Sequence, residues 1–271
     1  MFYQKGELFI SNVKCYSCFF VVLCATFLGG CVNMSNLSQN PSQNKRPLVV
    51  GDIAYDRDEK WGYTLYLNEG NDLVPYLVLT DSYGGMEGQA LLFRKDLLDE
   101  LSVYSIESSY YGSSQIDSFL NHDFFNSLPE ILRNEILETS IEITSESSIW
   151  HAGRDLEHIY RHVFLLSATE AGYISEMYVP LIEGYKLAYF EIENSEDRRS
   201  VYWKGDNSAC WWLRTANTRN ARAWVCSRSG FGVHQINLER GVRPAFCIDA
   251  NMVIEESEND GIKIYTLAIF S

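Results

Sequence analysis

The segment WHAGRDLEHIYRH contains the residues best suited to metal chemistry. On a helix, the spacing i, i+4, i+7 and i+11 would place four side chains on one face: His151, Asp155, His158 and His162. Imidazoles four residues apart can share a metal ion, and a carboxylate can complete the ligand set. Gly153 weakens such a helix, however, and the apolar run that follows is typical of a strand. Two interpretations stay open: the metal site of an extracytoplasmic metal-dependent enzyme, or histidines in a solvated polar loop with no metal.

Two C-terminal segments, CWWLRT and GVRPAF, contain the other candidate chemistry. In an extended strand side chains alternate, so Trp212 and Arg214 would share one face while the core takes the other. One interpretation is a shallow pocket for an anionic or sugar-like ligand, with Trp212 as a stacking platform and Arg243 on its wall. The other is that both arginines are buried and hydrogen-bond loop carbonyls through their fixed N–H donors.

Tyr202 and Trp203 lie in a charged, Gly- and Asn-containing stretch, residues 182–208, that is typical of a loop. Loops often carry recognition, so this stretch and the turn TANTRNAR are the best candidates for ligand specificity. The sequence has no G-x-S-x-G, P-loop or dinucleotide fingerprint. We therefore predict no catalytic residue and no cofactor.

Three cysteines lie in the C-terminal part of the chain, and none has the spacing of a metal ligand: Cys210, Cys226 and Cys247. They are predicted to be small apolar core residues, or to form one disulfide with a spare thiol.

The N-terminal segment has the organisation of a secretion signal. Lys5 and Lys14 precede an uncharged run over residues 17–28, which is short for a membrane span and suits a signal peptide. The run ends in LGGC, which resembles the lipobox of bacterial lipoproteins. That resemblance implies a signal peptide over residues 1–30, cleavage before Cys31 and lipidation of its thiol. An uncleaved membrane anchor and a core helix are the alternatives.

Residues 31–47 are rich in Asn, Ser and Gln and predict a lipidated cysteine followed by a flexible tether. The tether leads to a domain predicted for residues 48–271. A net charge of −14 disfavours nucleic acid and gives no electrostatic attraction to anionic headgroups, so the lipid is the predicted membrane contact. The predicted location is the extracytoplasmic face of the cell membrane, where the partner is an unidentified ligand or protein.

The elements that would position these residues are mostly short strands. Apolar runs bounded by Gly, Asn and Asp predict strands at LVVGDIAY, YTLYL, YLVLT, ALLFR, IEIT, HVFLLS, WWLRT, ARAWVCS, GVHQIN, GVRPAFCID and IKIYTLAIF. The cap patterns SSQID, SLPE and SATE predict three short helices, and EESENDG predicts an acidic turn. Pro244 predicts an edge strand or a bulge. One α+β domain accounts for these elements.

The order VGDI, ALLFRKDLLD, SSQIDSFLNHDFFNSL, VFLLSATEAGY, WWLR and GVRPAF resembles a bacterial domain family of unknown function, over most of residues 50–250. More distantly, the W-L-R and G-V-R-P segments are similar to the C-type-lectin-like group, which includes formylglycine-generating enzymes. That resemblance implies a compact α+β fold with an antiparallel β-core and projecting loops. Fold-level similarity implies no particular chemistry.

The catalytic and metal motifs of that group are not matched. Phe164 stands where an iron-binding motif has a glutamate, and the E-P-N and W-N-D motifs of calcium lectins are missing from the sequence. Because the family signature spans Arg214 and Arg243 however the loops vary, the buried interpretation of both is preferred. The sequence thus favours ligand or partner binding through loops over catalysis.

Overall fold

The computed structural model describes residues 46–56, 64–173, 181–191, 196–203, 207–218, 221–259 and 261–270. They belong to one compact unit, Lys45–Ser271. The predicted signal peptide, Cys31 and nearly all of the predicted tether lie outside the described residues. No helix among the described residues is long and apolar enough to cross a membrane.

The described part of the chain is mostly β-structure. Its strands are β1 (Thr64–Glu69), β2 (Asp72–Thr80), β3 (Gln89–Arg94), β4 (Ser102–Val103), β5 (Thr139–Thr144), β6 (Leu156–Arg161), β7 (Val163–Phe164), β8 (Tyr202–Trp203), β9 (Asn207–Ser208), β10 (Trp211–Asn217), β11 (Arg222–Ser227), β12 (Gly230–Gln235), β13 (Glu239–Arg240), β14 (Ala245–Asp249), β15 (Ile254–Asn259) and β16 (Ile262–Leu267). Its helices are short: α1 (Gln115–Phe119), α2 (Phe125–Ser127), α3 (Glu130–Arg133), α4 (Glu146–His151) and α5 (Glu196–Arg199). A π-helical turn, Leu120–Phe124, joins α1 to α2.

A seven-stranded sheet forms the centre, in the order β15-β16-β1-β2-β3-β14-β7. Neighbouring strands are antiparallel except for β1 and β16, which are parallel. Most of β3 and β14 is buried on both faces, as their nearly continuous apolar sequences require. The predicted antiparallel β-core with a few short helices is confirmed at this level.

Smaller sheets complete the unit. β10, β11 and β12 form a three-stranded antiparallel sheet, and β5–β6, β4–β13 and β8–β9 form two-stranded ribbons. A parallel bridge between Trp211 and Gly241 connects β10 to the segment that leads into β14. The W-L-R and G-V-R-P-A segments are therefore neighbours in space.

Several local predictions are wrong, each for a physical reason. LVVGDIAY forms a 3-10 helix, Val50–Ile53, whose first backbone N–H groups bond to the Ala250–Met252 segment. EESENDG contributes the edge strand β15, because the exposed carboxylates face solvent while its backbone pairs with β16. Pro244 precedes β14, which lies between β3 and β7 and is not an edge strand.

The helix prediction at SATE is also wrong, although its hydrogen bonds form. Ser167 N donates to Glu170 Oε2 at 2.9 Å, and Glu170 N donates to Ser167 Oγ at 3.1 Å, as in a capping box. The segment is only a turn, which is followed by Gly172 at φ +84°. By contrast, the cap at SSQID is confirmed, because Ser114 Oγ accepts from Asp117 N at 3.2 Å.

Candidate functional site

Strand β10 is buried on both faces, which differs from the predicted arrangement with one covered face. Trp211, Trp212, Leu213 and Arg214 are all fully buried. The indole of Trp212 contacts the ring of Tyr104 at 5.4 Å between centroids, and its Nε1 donates to Ser102 O at 2.8 Å. A ligand could reach the Trp212–Arg214 face only if these covering residues moved.

Arg214 forms a buried ion pair with Glu170. Its Nη1 and Nη2 lie 2.6 and 2.8 Å from the two carboxylate oxygens of Glu170, a bidentate geometry. Nε donates to Glu142 O and Nη1 also donates to Leu165 O, both at 2.9 Å. Burial lowers the pKa of Arg214, but Glu170, together with Tyr83 and Glu183, more than offsets this effect and the pKa lies above its ordinary value. These contacts are those of the buried, structural alternative for Arg214.

A second buried carboxylate, Glu183, lies beside this pair. It accepts from Thr144 N at 2.7 Å, Thr144 Oγ1 at 2.6 Å and Thr215 Oγ1 at 2.5 Å. Burial raises the pKa of Glu183, while Arg214 and the hydrogen bonds partly oppose that shift. The guanidinium of Arg214 therefore interacts electrostatically with two carboxylates, those of Glu170 and Glu183.

Arg243 is as buried as Arg214, with 2% of its surface exposed, but its surroundings are different. Its guanidinium lies 3.9 Å from the ring centroid of Phe93 and 5.4 Å from that of Trp211. Nε donates to Arg94 O at 2.8 Å, and Nη1 is buried without a hydrogen-bond partner. No carboxylate in the described part of the chain forms an ion pair with it. Burial lowers the pKa of Arg243 to about 10.

A second guanidinium belongs to the same group of aromatic rings. Arg198 lies over the rings of Tyr55 and Tyr189, at 4.8 and 4.6 Å from their centroids, and its Nη1 donates to Tyr189 O at 2.7 Å. Burial raises the pKa of Tyr189, and the positive charges of Arg243 and Arg198 both act against that shift. We call the following six residues the arginine–aromatic cluster: Tyr55, Phe93, Tyr189, Arg198, Trp211 and Arg243.

The four candidate metal ligands do not lie on one helix. His151 ends α4, Asp155 follows in a loop, His158 lies on β6 and His162 follows that strand. His158 Nε2 lies 3.5 Å from Glu142 Oε1, whereas the ring of His162 packs against Phe125. Among the described residues, no group of three or more His, Cys, Asp or Glu side chains could hold a metal ion. The prediction of one helical face is wrong because the chain reverses after α4 to form the β5–β6 ribbon.

The three C-terminal cysteines are free thiols. Burial raises the pKa of Cys226 to about 12 and raises that of Cys247 further. Both thiols therefore stay protonated and unreactive near neutral pH.

Tyr202 and Trp203 form β8, whose backbone pairs with β9, and their side chains lie outside the described residues. The sequence analysis missed Glu170, Glu183 and Arg198 as partners in these clusters. Only Glu170 had a local signal, the SATE cap pattern, which pointed to a helix start and not to an ion pair.

The matched family covers most of this arrangement. A family described as Domain of unknown function (DUF6273) matches residues 87–250. The chain belongs to this family. The DUF6273 region includes the Glu170–Arg214 pair and most of the arginine–aromatic cluster, and it confirms the predicted domain of unknown function. Neither a curated protein nor a solved structure matches the chain.

Proposed function

We propose that the chain is a lipid-anchored binding protein of the extracytoplasmic membrane face, and that its domain takes a small anionic ligand at the arginine–aromatic cluster. The proposal rests on Arg243, which is buried, has no ion-pair partner among the described residues and has an Nη1 without a hydrogen-bond partner. A buried cation without a counter-ion is costly, and a buried N–H without an acceptor adds to that cost. An anion bound beside Nη1 would relieve both, and the residues that cover this atom must move to admit it.

The wider surroundings support a small ligand. Arg198 supplies a second positive charge, and the rings of Tyr55 and Tyr189 hold its guanidinium in place. The net charge of −14 opposes long polyanions at a distance. A compact carboxylate, phosphate or sulfate would feel chiefly the nearby guanidinium groups.

The anchoring part of the proposal rests on the sequence. The LGGC segment after an apolar run supports lipidation at Cys31, and residues 31–47 have the composition of a tether. A lectin-like relationship is likewise part of the proposal, supported by the W-L-R and G-V-R-P-A segments. Tyr189 and Arg198 both come from the 182–208 stretch that the sequence favours for recognition, although they lie in a 3-10 helix and in α5.

Thermal unfolding of the mature chain with Cys31→Ser tests the ligand site. The probes are benzoate, acetate, phosphate and sulfate, each compared with chloride at equal ionic strength. We expect at least one probe to raise the free energy of unfolding, by about 2–3 kcal/mol at a hundred times its Kd. Arg243→Leu should abolish this increase, whereas Arg46→Ala, which removes an exposed cation, should leave it intact.

Two outcomes would contradict the proposal. One is that none of the four anions stabilises the chain more than chloride does. The other is that the stabilisation persists in Arg243→Leu, which would place the anion elsewhere.

A further inference from the structure

A groove of about 680 Å³ lies on the surface beside Trp150. It is lined by three stretches that are distant in sequence: the loop around Ser109, the end of α4, and the residues Thr218 and Ala221 between β10 and β11. Thr218 and Ala221 belong to the TANTRNAR segment, which the sequence predicts to be important for specificity. Neither the arginine–aromatic cluster nor the Glu170–Arg214 pair contributes to this groove.

Trp150 is unusually exposed for its size, with 64% of its surface accessible. Tryptophan normally buries most of its area, so an indole presented to solvent on the wall of a groove offers a flat apolar platform. Ala152, directly after α4, has φ +51°, a left-handed conformation that costs a non-glycine residue free energy. This strained residue also lines the groove and reverses the chain immediately beside Trp150.

Ser109 gives an independent indication of a ligand. It lines the same groove, only 1% of its surface is exposed, and its Oγ has no hydrogen-bond partner. Buried hydroxyls are nearly always paired, because an unpaired one loses its hydration without compensation. A ligand hydroxyl would supply the missing partner once the residues that cover Ser109 Oγ moved aside.

We propose that this groove binds a neutral saccharide, with one sugar ring against the indole of Trp150 and a sugar hydroxyl paired with Ser109 Oγ. A pyranose ring presents an apolar C–H face and a polar rim, which matches a flat indole bordered by hydrogen-bonding groups. Glu107 and His151 on the groove wall add an acceptor and a ring nitrogen for further hydroxyls. The acidic net charge gives no reason to expect an anionic sugar.

Isothermal titration of the mature chain with Cys31→Ser tests this site, with cellohexaose, maltohexaose, xylohexaose and chitohexaose as probes. We expect at least one to bind, and Trp150→Ala to weaken that binding by about tenfold or more. Tyr160→Ala removes an exposed aromatic residue outside the groove and should leave the affinity unchanged.

Ser109→Ala separates recognition from folding. Since the hydroxyl has no partner in the free protein, its removal should leave the unfolding midpoint unchanged or raise it. The same substitution should weaken the bound oligosaccharide by about threefold to tenfold, the loss of one hydrogen bond.

The proposal is overturned if none of the four oligosaccharides binds, or if the affinity is the same in Trp150→Ala. It is also overturned if a peptide array, and no saccharide, shows binding that depends on Trp150, because the groove would then be a peptide site. None of these results bears on Arg243, whose anion site is tested separately.

Discussion

Arg214 and Arg243 look equivalent in the sequence, each within a short apolar signature, but their surroundings give them different roles. Arg214 has a bidentate carboxylate partner 44 residues away along the chain, whereas Arg243 lies between aromatic rings and has no such partner among the described residues. An ion pair that is complete within the fold leaves little for a ligand to gain, because its charges are already compensated. The sequence predicts that both are buried but cannot distinguish them, since the distinction depends on long-range contacts.

Gly184 is required by its close approach to the Glu170–Arg214 pair. Its φ is +71°, and a Cβ atom there would overlap Glu170 Oε1 and lie 3.3 Å from Arg214 Nη2. We expect Gly184→Ala to lower the free energy of unfolding by about 3 kcal/mol or more, from backbone strain and displacement of the ion pair.

Gly70→Ala is the matched control for Gly184, measured by the same denaturant titration. Gly70 has φ +64° and nothing within 4 Å of the added atom. Gly70→Ala should therefore lower the free energy of unfolding through backbone strain alone, by about 1 kcal/mol. Equal losses at both positions would contradict the steric explanation.

Glu183 should give the domain a defined pH dependence. Its pKa in the folded state is raised above the ordinary value of 4.5, so the folded state binds this proton more tightly than the unfolded state does. The contribution of Glu183 to stability therefore falls as the pH rises from about 4.5 through the raised pKa, and stays constant above it.

Glu183→Gln isolates this contribution. An amide can keep its oxygen on the Thr144 donors and donate its N–H to Thr215 Oγ1, so the site stays hydrogen-bonded. We expect the advantage of wild type over Glu183→Gln to shrink as the pH rises through that window, in urea titrations at several pH values. A difference that grows with pH would show that the folded pKa is lowered instead.

At the scale of elements, the sequence correctly predicts the strands that are determined by a local hydrophobic pattern. β1, β2, β3, β10 and β11 follow apolar runs bounded by turns, and these strands form where expected. β15 and β6 were missed because they are exposed along one or both faces, so the pairing partner and not hydrophobicity makes them strands. The groove beside Trp150 was missed for a related reason: it forms where three distant segments meet.

The β5–β6 ribbon determines the expected behaviour of the histidines. Because His158 lies on a strand and His151 on a helix, we expect metal analysis of the purified chain from residue 31 onward to find no stoichiometric zinc or iron. His158→Ala should then leave both the metal content and the unfolding midpoint unchanged, since this side chain is mostly exposed. Stoichiometric metal that is lost in His158→Ala would instead favour the metal-dependent enzyme.

At the scale of the whole molecule, the seven-stranded sheet extends beyond the residues that match the family. Residues 87–250 contain β3, β14 and β7, whereas β1, β2, β15 and β16 come from outside the matched region and extend the same sheet. The chain before and after the DUF6273 region thus folds back into its central element. A boundary drawn at residues 87 and 250 would expose the pairing edge of β3, so the shortest stable domain should include β1, β2, β15 and β16.

We expect membrane anchoring of the whole chain to depend on the sulfur atom of Cys31. If the thiol of Cys31 carries the lipid, Cys31→Ser in a bacterial host should move the protein from the detergent phase to the aqueous phase of a Triton X-114 partition. The reason is that the net charge of −14 provides no second attraction to anionic membranes. Cys24→Ser, within the predicted signal peptide, should leave the protein in the detergent phase, because the lipobox resemblance predicts lipidation at Cys31 and not at Cys24. If Cys31→Ser also stays in the detergent phase, the apolar run itself holds the chain in the membrane and the uncleaved anchor is correct.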